Sequence, residues 1–188
     1  MKRTLPLAAV ALVAAFGIAA TASAQADDAA KIRKGYEINP VPLDLAGKNP
    51  ALVGLGSYIV NGQGACTDCH TSPPYAAGGD PFLGQPTVAN VEGFLAGGTP
   101  FGPFISRNLT PNASGRPAGL TLEQFVFVMN TGADVKGRAP FVPSQEADLL
   151  QVMPWPVYRG MTERDKRAIY EYLRAIPCRG DASRCGGS

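Results

Sequence analysis

The sequence predicts an all-α domain with long irregular connections, and three observations predict it. Two segments, 122–132 and 162–177, carry apolar residues at helical spacing behind capping signals. No series of alternating strand runs appears, which sets aside a predominantly β or doubly wound chain. Gly and Pro number 22 and 17 of 188 residues, a share that calls for many turns but stays below the level expected of disorder. With 45% hydrophobic and 17% charged residues, the composition is that of one folded domain able to bury its own core.

The elements follow in chain order. Met1-Lys2-Arg3 precede a largely apolar stretch from Leu5 to Ala20, and Thr21-Ala22-Ser23-Ala24 then supplies a small-x-small ending. That order predicts a cleavable export signal over 1–24, with an uncleaved anchor as the alternative. No other apolar run is long enough to span a bilayer. Removing 1–24 takes away two bases and no acid, so the formal charge of +2 falls to neutrality, which is not the footprint of a nucleic-acid binder. Residues 25–49 read as an N-terminal extension with at most one helical turn near Ala29–Lys34, because Asn39-Pro40, Pro42 and Asn49-Pro50 interrupt it.

Asn49-Pro50 is a helix start, since Asn caps and Pro suits the first helical position. The helix should run to about Asn61 and stop at Gly62, with Gly54 and Tyr58 on one face. Residues 71–119 are rich in Gly, Pro, Ser and Asn, a length of loop that something functional must organise. Thr121-Leu122-Glu123-Gln124 is a capping box, and Leu122, Phe125, Val126 and Met129 follow on one helical face until Gly132. A short helix is expected at Gln145–Gln151. Thr162 caps the last helix, which has acidic residues in its first turn and Arg174 near its end. Ile169, Tyr172, Leu173 and Ile176 form its apolar stripe, and Pro177 ends it.

The chemistry is concentrated in Cys66-Thr67-Asp68-Cys69-His70. Two thiols three residues apart on a helical turn can each form a thioether to a haem vinyl group, which places the next imidazole under the iron. The single histidine of the chain stands at that position. A disulfide or thioredoxin-like pair lacks its βαβ surroundings. The stronger rival is a four-thiolate zinc cage of Cys66, Cys69, Cys178 and Cys185, although Cys178-x6-Cys185 is a loose second half and His70 would be incidental. A red or a colourless product separates the two. If the haem takes the first pair, an oxidising compartment should join Cys178 to Cys185.

With one histidine, a second axial ligand on iron must be methionine, a weaker donor, water or nothing. Met129 lies on the stripe of a capped helix, and Met161 immediately precedes the Thr162 cap. Met153 lies outside any regular helix beside Pro154-Trp155-Pro156, a stiff loop suited to holding a thioether, with Trp155 placed to cover a haem edge. Met153 is therefore the expected partner of His70 as iron ligand.

On Cys66–His70, Gly79-Asp80-Pro81-Phe82-Leu83-Gly84, Met153-Pro154-Trp155 and Asp165…Ile169-Tyr170-Glu171-Tyr172-Leu173, the chain resembles the c-type cytochromes over about residues 50–178. The resemblance implies a cytochrome c-like fold in which N- and C-terminal helices cross over one covalently bound haem c, with Gly54 or Gly56 and Tyr58 on the first helix. It also implies that the Pro81 carbonyl accepts the second ring N–H of His70 and that Leu83 packs on the haem. Phe104–Asn112, with its Asn108-Leu109-Thr110-Pro111, and Gly119–Phe125 are similar to cytochrome subunits of membrane-bound alcohol dehydrogenases. In those subunits the Asn-x-Thr-Pro segment lines the haem pocket, which implies that role for Asn108. This chain has one haem motif and Leu120 where they commonly have Trp.

The expectation is a periplasmic electron carrier rather than an enzyme, cycling one iron between His70 and Met153. The alternative is a cytochrome subunit of a dehydrogenase complex. The implied partners are a dehydrogenase donor and an oxidase or cytochrome acceptor. A haem enzyme or sensor finds no distal acid–base group in the sequence. Residues 179–188 complete the division as a C-terminal tail.

Overall fold

The computed structural model describes residues 25–135 and 148–186. The export signal expected over 1–24 and the first three residues of the helix expected at 145–151 lie outside them. Residues 148–151, which are described, are not helical; Leu149 instead forms an isolated antiparallel bridge with Ala133.

The chain is mostly helical. α1 covers 25–38, longer than the single turn expected there. The prolines that suggested an interrupted arm, Pro40 and Pro42, fall just past its end, so they terminate the helix without breaking it. α2 spans Pro50–Tyr58 and begins as expected: the Asn49 side chain accepts from the amides of Ala51 and Leu52, and Pro50 occupies the first turn. It runs into a π-helical turn, Ile59–Gln63, before α3, Cys66–His70. The long connection after α3 holds a 3₁₀ turn at Pro81–Leu83 and a two-residue-per-strand hairpin, β1 Pro100–Phe101 against β2 Phe104–Ile105. α4 (Leu122–Thr131) and α6 (Glu163–Ala175) both open on complete capping boxes, at Thr121/Gln124 and Thr162/Asp165. Gly132 stops α4 in the left-handed conformation. Between them lies α5, Trp155–Tyr158, and α7, Ala182–Cys185, follows α6.

Two glycines of α2 place it between its neighbours. A Cβ at Gly54 would stand 2.7 Å from the Tyr36 ring and 2.8 Å from Ile32, both on α1. A Cβ at Gly56 would stand 1.9 Å from the Ala168 carbonyl oxygen on α6. Neither contact leaves room for a side chain, so α2 is held at backbone distance by α1 on one side and α6 on the other. Val53, Leu55, Ile59 and Val60 join Ala168, Ile169, Tyr172, Leu173 and Ile176 in the core, with Phe125 and Met129 of α4.

Most polar groups inside this packing are paired, as burial demands, Asn61 Oδ1 being the exception. The Tyr172 hydroxyl donates to Asn39 Oδ1 (2.9 Å) and receives Asn61 Nδ2 (3.0 Å), and the buried Ser57 hydroxyl donates to the Gly35 carbonyl (2.6 Å). Burial drives the Tyr172 phenol above its usual range, which keeps it a donor.

Candidate functional site

α3 presents its three reactive side chains within little more than one turn, because Cys66 and Cys69 are three residues apart and His70 follows directly. The helix is entered through Ala65 in the left-handed conformation (φ 49°) after Gly64, a sharp change of direction that separates it from the π turn. Cys66, Cys69 and His70 are each half-buried, and both cysteines are free thiols. Burial pushes the Cys66 thiol up to about 12 and raises that of Cys69, so both stay protonated near neutrality.

His70 is fixed through Nδ1, which lies 2.7 Å from the Arg107 carbonyl oxygen. A carbonyl only accepts, so Nδ1 carries the proton and Nε2 keeps its lone pair free for a metal. Burial also lowers the imidazole below its usual range, favouring the neutral ring that ligation needs. This corrects the expectation that Pro81 accepts this bond. Pro81 lies instead on the 3₁₀ turn capped by Asp80, while Arg107 is brought in by the loop network around Gly97. The His70 carbonyl receives the Gly97 amide at 2.7 Å, and the Leu109 amide donates to Leu95 at 2.8 Å. Gly97 adopts φ +75°, and a Cβ there would stand 2.5 Å from the Arg107 carbonyl carbon. The close approach thus needs glycine on two counts.

Sequence reasoning missed Arg107 because its contribution is a backbone carbonyl, which leaves no mark on residue type. The Gly97-Gly98 pair was the available signal.

The remaining expected residues are placed as follows. Leu83 is on the surface, 72% exposed, beside the more exposed Phe82. The Asn108 side chain is committed to the tail and its own turn: Nδ2 donates to the Arg179 carbonyl (2.7 Å), and Oδ1 accepts from the Thr110 amide and hydroxyl. Met153 is half-buried and packs against the core from an irregular segment ahead of α5. Trp155 lies against Gly132, where a Cβ would come within 2.3 Å of the indole. Met129 is buried in the core at 4% exposure, as its place on the α4 stripe predicts.

A further residue joins the two sides of the site. The Tyr158 hydroxyl, at the end of α5, donates to the Gly64 carbonyl at 2.7 Å. It ties the segment after Met153 to the turn that delivers Cys66. Burial pushes its phenol up to about 12, so the donor persists at physiological pH.

The rival zinc cage is removed by the far pair of cysteines. Cys178 and Cys185 form a disulfide, as expected for two cysteines left over from the motif. Among the described residues, no group of three or more His, Cys, Asp or Glu side chains is arranged to hold a metal ion. Two free thiols and an imidazole with one nitrogen committed to a carbonyl are the donor set that a covalently attached haem requires. The residues present therefore fit that group.

Curated relatives share part of this sequence. Over 125 residues, 66% of the chain, it is 28% identical to the gluconate 2-dehydrogenase cytochrome c subunit of Pantoea cypripedii, covering 23% of that protein. Over 84 residues, 43% of the chain, it is 32% identical to the fructose dehydrogenase cytochrome subunit of Gluconobacter japonicus, covering 15% of it. Over 123 residues, 65% of the chain, it is 26% identical to the cytochrome c subunit of the quinone alcohol dehydrogenase of Gluconobacter oxydans strain 621H, covering 21% of it. The chain thus spans less than a quarter of the length of these relatives. No protein-family model and no solved structure matches it. The motif at Cys66–His70 and these relatives agree: the homologues of this chain are cytochrome c subunits of dehydrogenases.

Proposed function

We propose that this chain is a one-haem cytochrome that accepts electrons from a dehydrogenase outside the cytoplasm, as its subunit or immediate partner. The observation that carries the reading is the only histidine, set directly after Cys66-x-x-Cys69 with Nδ1 bonded to a backbone carbonyl. The relatives favour the subunit role over a free carrier, since each is a dehydrogenase's cytochrome subunit. In this reading residues 1–24 direct export, 50–178 form the haem domain, 25–49 add a helix to it, and 179–188 are the tail. No helix among the described residues is long and apolar enough to cross a membrane.

Bound haem would supply a one-electron Fe(II)/Fe(III) couple. Cys66 and Cys69 would hold the haem covalently as thioethers, each supplying a sulfur and a proton to a vinyl group. His70 would hold the iron through Nε2, its ring kept in orientation and made more basic by the Arg107 carbonyl. Met153 would offer its thioether as a second ligand, from a segment that helix packing does not claim as it claims Met129. A thioether favours the reduced state and raises the potential. Leu83 offers exposed apolar area to the porphyrin, and Trp155 lies beside Met153 in sequence. The role in this reading is electron transfer without catalysis, as for the cytochrome subunits it resembles.

The test is expression with a cytochrome c maturation system, followed by mass and denatured-haem spectroscopy. One haem per chain, retained in acid and lost in Cys66→Ala/Cys69→Ala, is expected; a colourless, zinc-bearing product would overturn the reading. Native purification from the source should also bring down a dehydrogenase whose substrate reduces the haem.

A further inference from the structure

We propose that the disulfide-closed C-terminal loop, 178–185, is a positioning device for the axial histidine: it clamps the strand of chain whose Arg107 carbonyl holds His70. The proposal rests on the haem reading above and assigns a role to the tail that neither the motif nor the relatives' names supply.

The segment after Arg107 is gripped at successive residues by that loop. Asn108 donates to the Arg179 carbonyl at 2.7 Å. The fully buried Thr110 receives the Arg179 amide on its hydroxyl at 3.0 Å. The Thr110 carbonyl accepts Arg184 Nη2 at 2.6 Å, with the Asn108 carbonyl 3.5 Å from the same nitrogen. The Ala113 amide donates to the Arg184 carbonyl at 2.7 Å. On the far side, Arg179 Nη2 reaches the Val91 carbonyl at 2.7 Å, four residues before Leu95, whose carbonyl receives the Leu109 amide.

Two features show that the tail is held in place against a cost. Arg184 Nε is buried with no hydrogen-bond partner, although the guanidinium otherwise serves backbone carbonyls. An orphaned buried donor is destabilising, so other contacts must hold the arginine there. The Cys178–Cys185 bond supplies such a constraint, because it fixes both Arg179 and Arg184 within one short ring. The chain of contact is then continuous: disulfide, Arg179 and Arg184, the 108–113 backbone, the Arg107 carbonyl, the His70 ring. Arg184 bonds the 108 and 110 carbonyls rather than the His70 ring, so it and the disulfide act through the Arg107 carbonyl.

The consequence is electronic. A firm Nδ1–H···O=C bond gives the imidazole anionic character and favours ferric iron. A slack tail lets the carbonyl drift and favours ferrous iron.

The experiment uses the full-length holoprotein. Its covalent haem content comes first: haem-free protein overturns the reading on which the proposal stands, and the proposal with it. In haem-loaded Cys178→Ser/Cys185→Ser and in Arg184→Ala, the ferrous-to-ferric ratio at a fixed applied potential should rise several-fold. The His70 ring N–H of the ferrous protein should also exchange faster with solvent, by NMR. Arg184→Lys, which keeps a donor for the Thr110 carbonyl, should recover part of both effects. A lowered melting temperature with unchanged ratio and unchanged exchange would overturn the proposal and leave the tail a simple staple. If the double variant does not fold, native holoprotein reduced and alkylated at these two cysteines gives the same two readings.

Discussion

At the scale of single residues, the proposed ligation by His70 and Met153 depends on which atoms they offer and on what holds them. Met153→Ala should abolish the sulfur-to-iron charge-transfer band of the ferric protein, lower its potential and admit carbon monoxide to the ferrous form. Met129→Leu and Met161→Leu should keep all three properties, because Met129 fills the core and Met161 leads into the Thr162 cap. Loss of the band in Met161→Leu with retention in Met153→Ala would reverse the ligand assignment. Gly97 is the second sensitive position. Its Cβ would strike the Arg107 carbonyl and its φ is positive, so Gly97→Ala should loosen the His70 bond and raise the potential. Potentiometric titration of the variant checks this.

At the scale of elements, α2 is held by contacts that only glycine permits. Gly56→Ala puts a methyl into the Ala168 backbone, and α6 must shift to admit it. Overpacking of this kind should cost about 3 kcal/mol in urea unfolding of the holoprotein. Gly62→Ala is the control: its Cβ would find nothing nearer than 3.4 Å, and the change should stay within about 0.5 kcal/mol. The Thr162 capping box is a separate contribution. Thr162→Ala removes an acceptor for the Asp165 amide and should cost about 1 kcal/mol. Haem ligation should be unaffected, since α6 packs on α2 and α4 and holds none of the donors.

At the scale of the whole molecule, α1 is joined to α6 by an ion pair as well as by packing. Asp28 receives both terminal nitrogens of Arg164, at 2.8 and 2.5 Å, and the hydrogen bonds from that guanidinium lower the Asp28 pKa. A carboxylate with a depressed folded pKa contributes stability above its unfolded value, and that contribution is lost as pH falls through the folded value. Both side chains are partly exposed, so the effect is modest and screened by salt. Amide exchange in 25–38 should accelerate below about pH 4, while α2 and α6 keep their protection. Uniform acceleration in all three helices would contradict this. Elsewhere in the C-terminal region, Lys166 is buried on Asn130 and Glu163, and Arg174 binds Glu171.

The sequence by itself determined the elements whose signals are local. Asn49-Pro50 and the Thr121 and Thr162 boxes set helix starts because caps depend on residues within one turn, and Cys66-x-x-Cys69-His70 named its chemistry because spacing along a turn is itself geometry. The leftover cysteines found each other because seven residues of separation left them little else. Tertiary structure decided what local signals do not contain. Prolines at 40 and 42 read as breakers of an arm, yet α1 completes itself before them and is stabilised against Gly54, a contact made across the fold. The resemblance implies that the Pro81 carbonyl accepts from His70, but every residue carries a carbonyl, and only the folding of 95–109 back over α3 selects Arg107. The resemblance implies that Asn108 lines the haem pocket; only the fold shows that its amide is also committed to the tail seventy-one residues away. Side-chain chemistry is written in the sequence, but the choice among identical backbone groups is made only when distant segments meet.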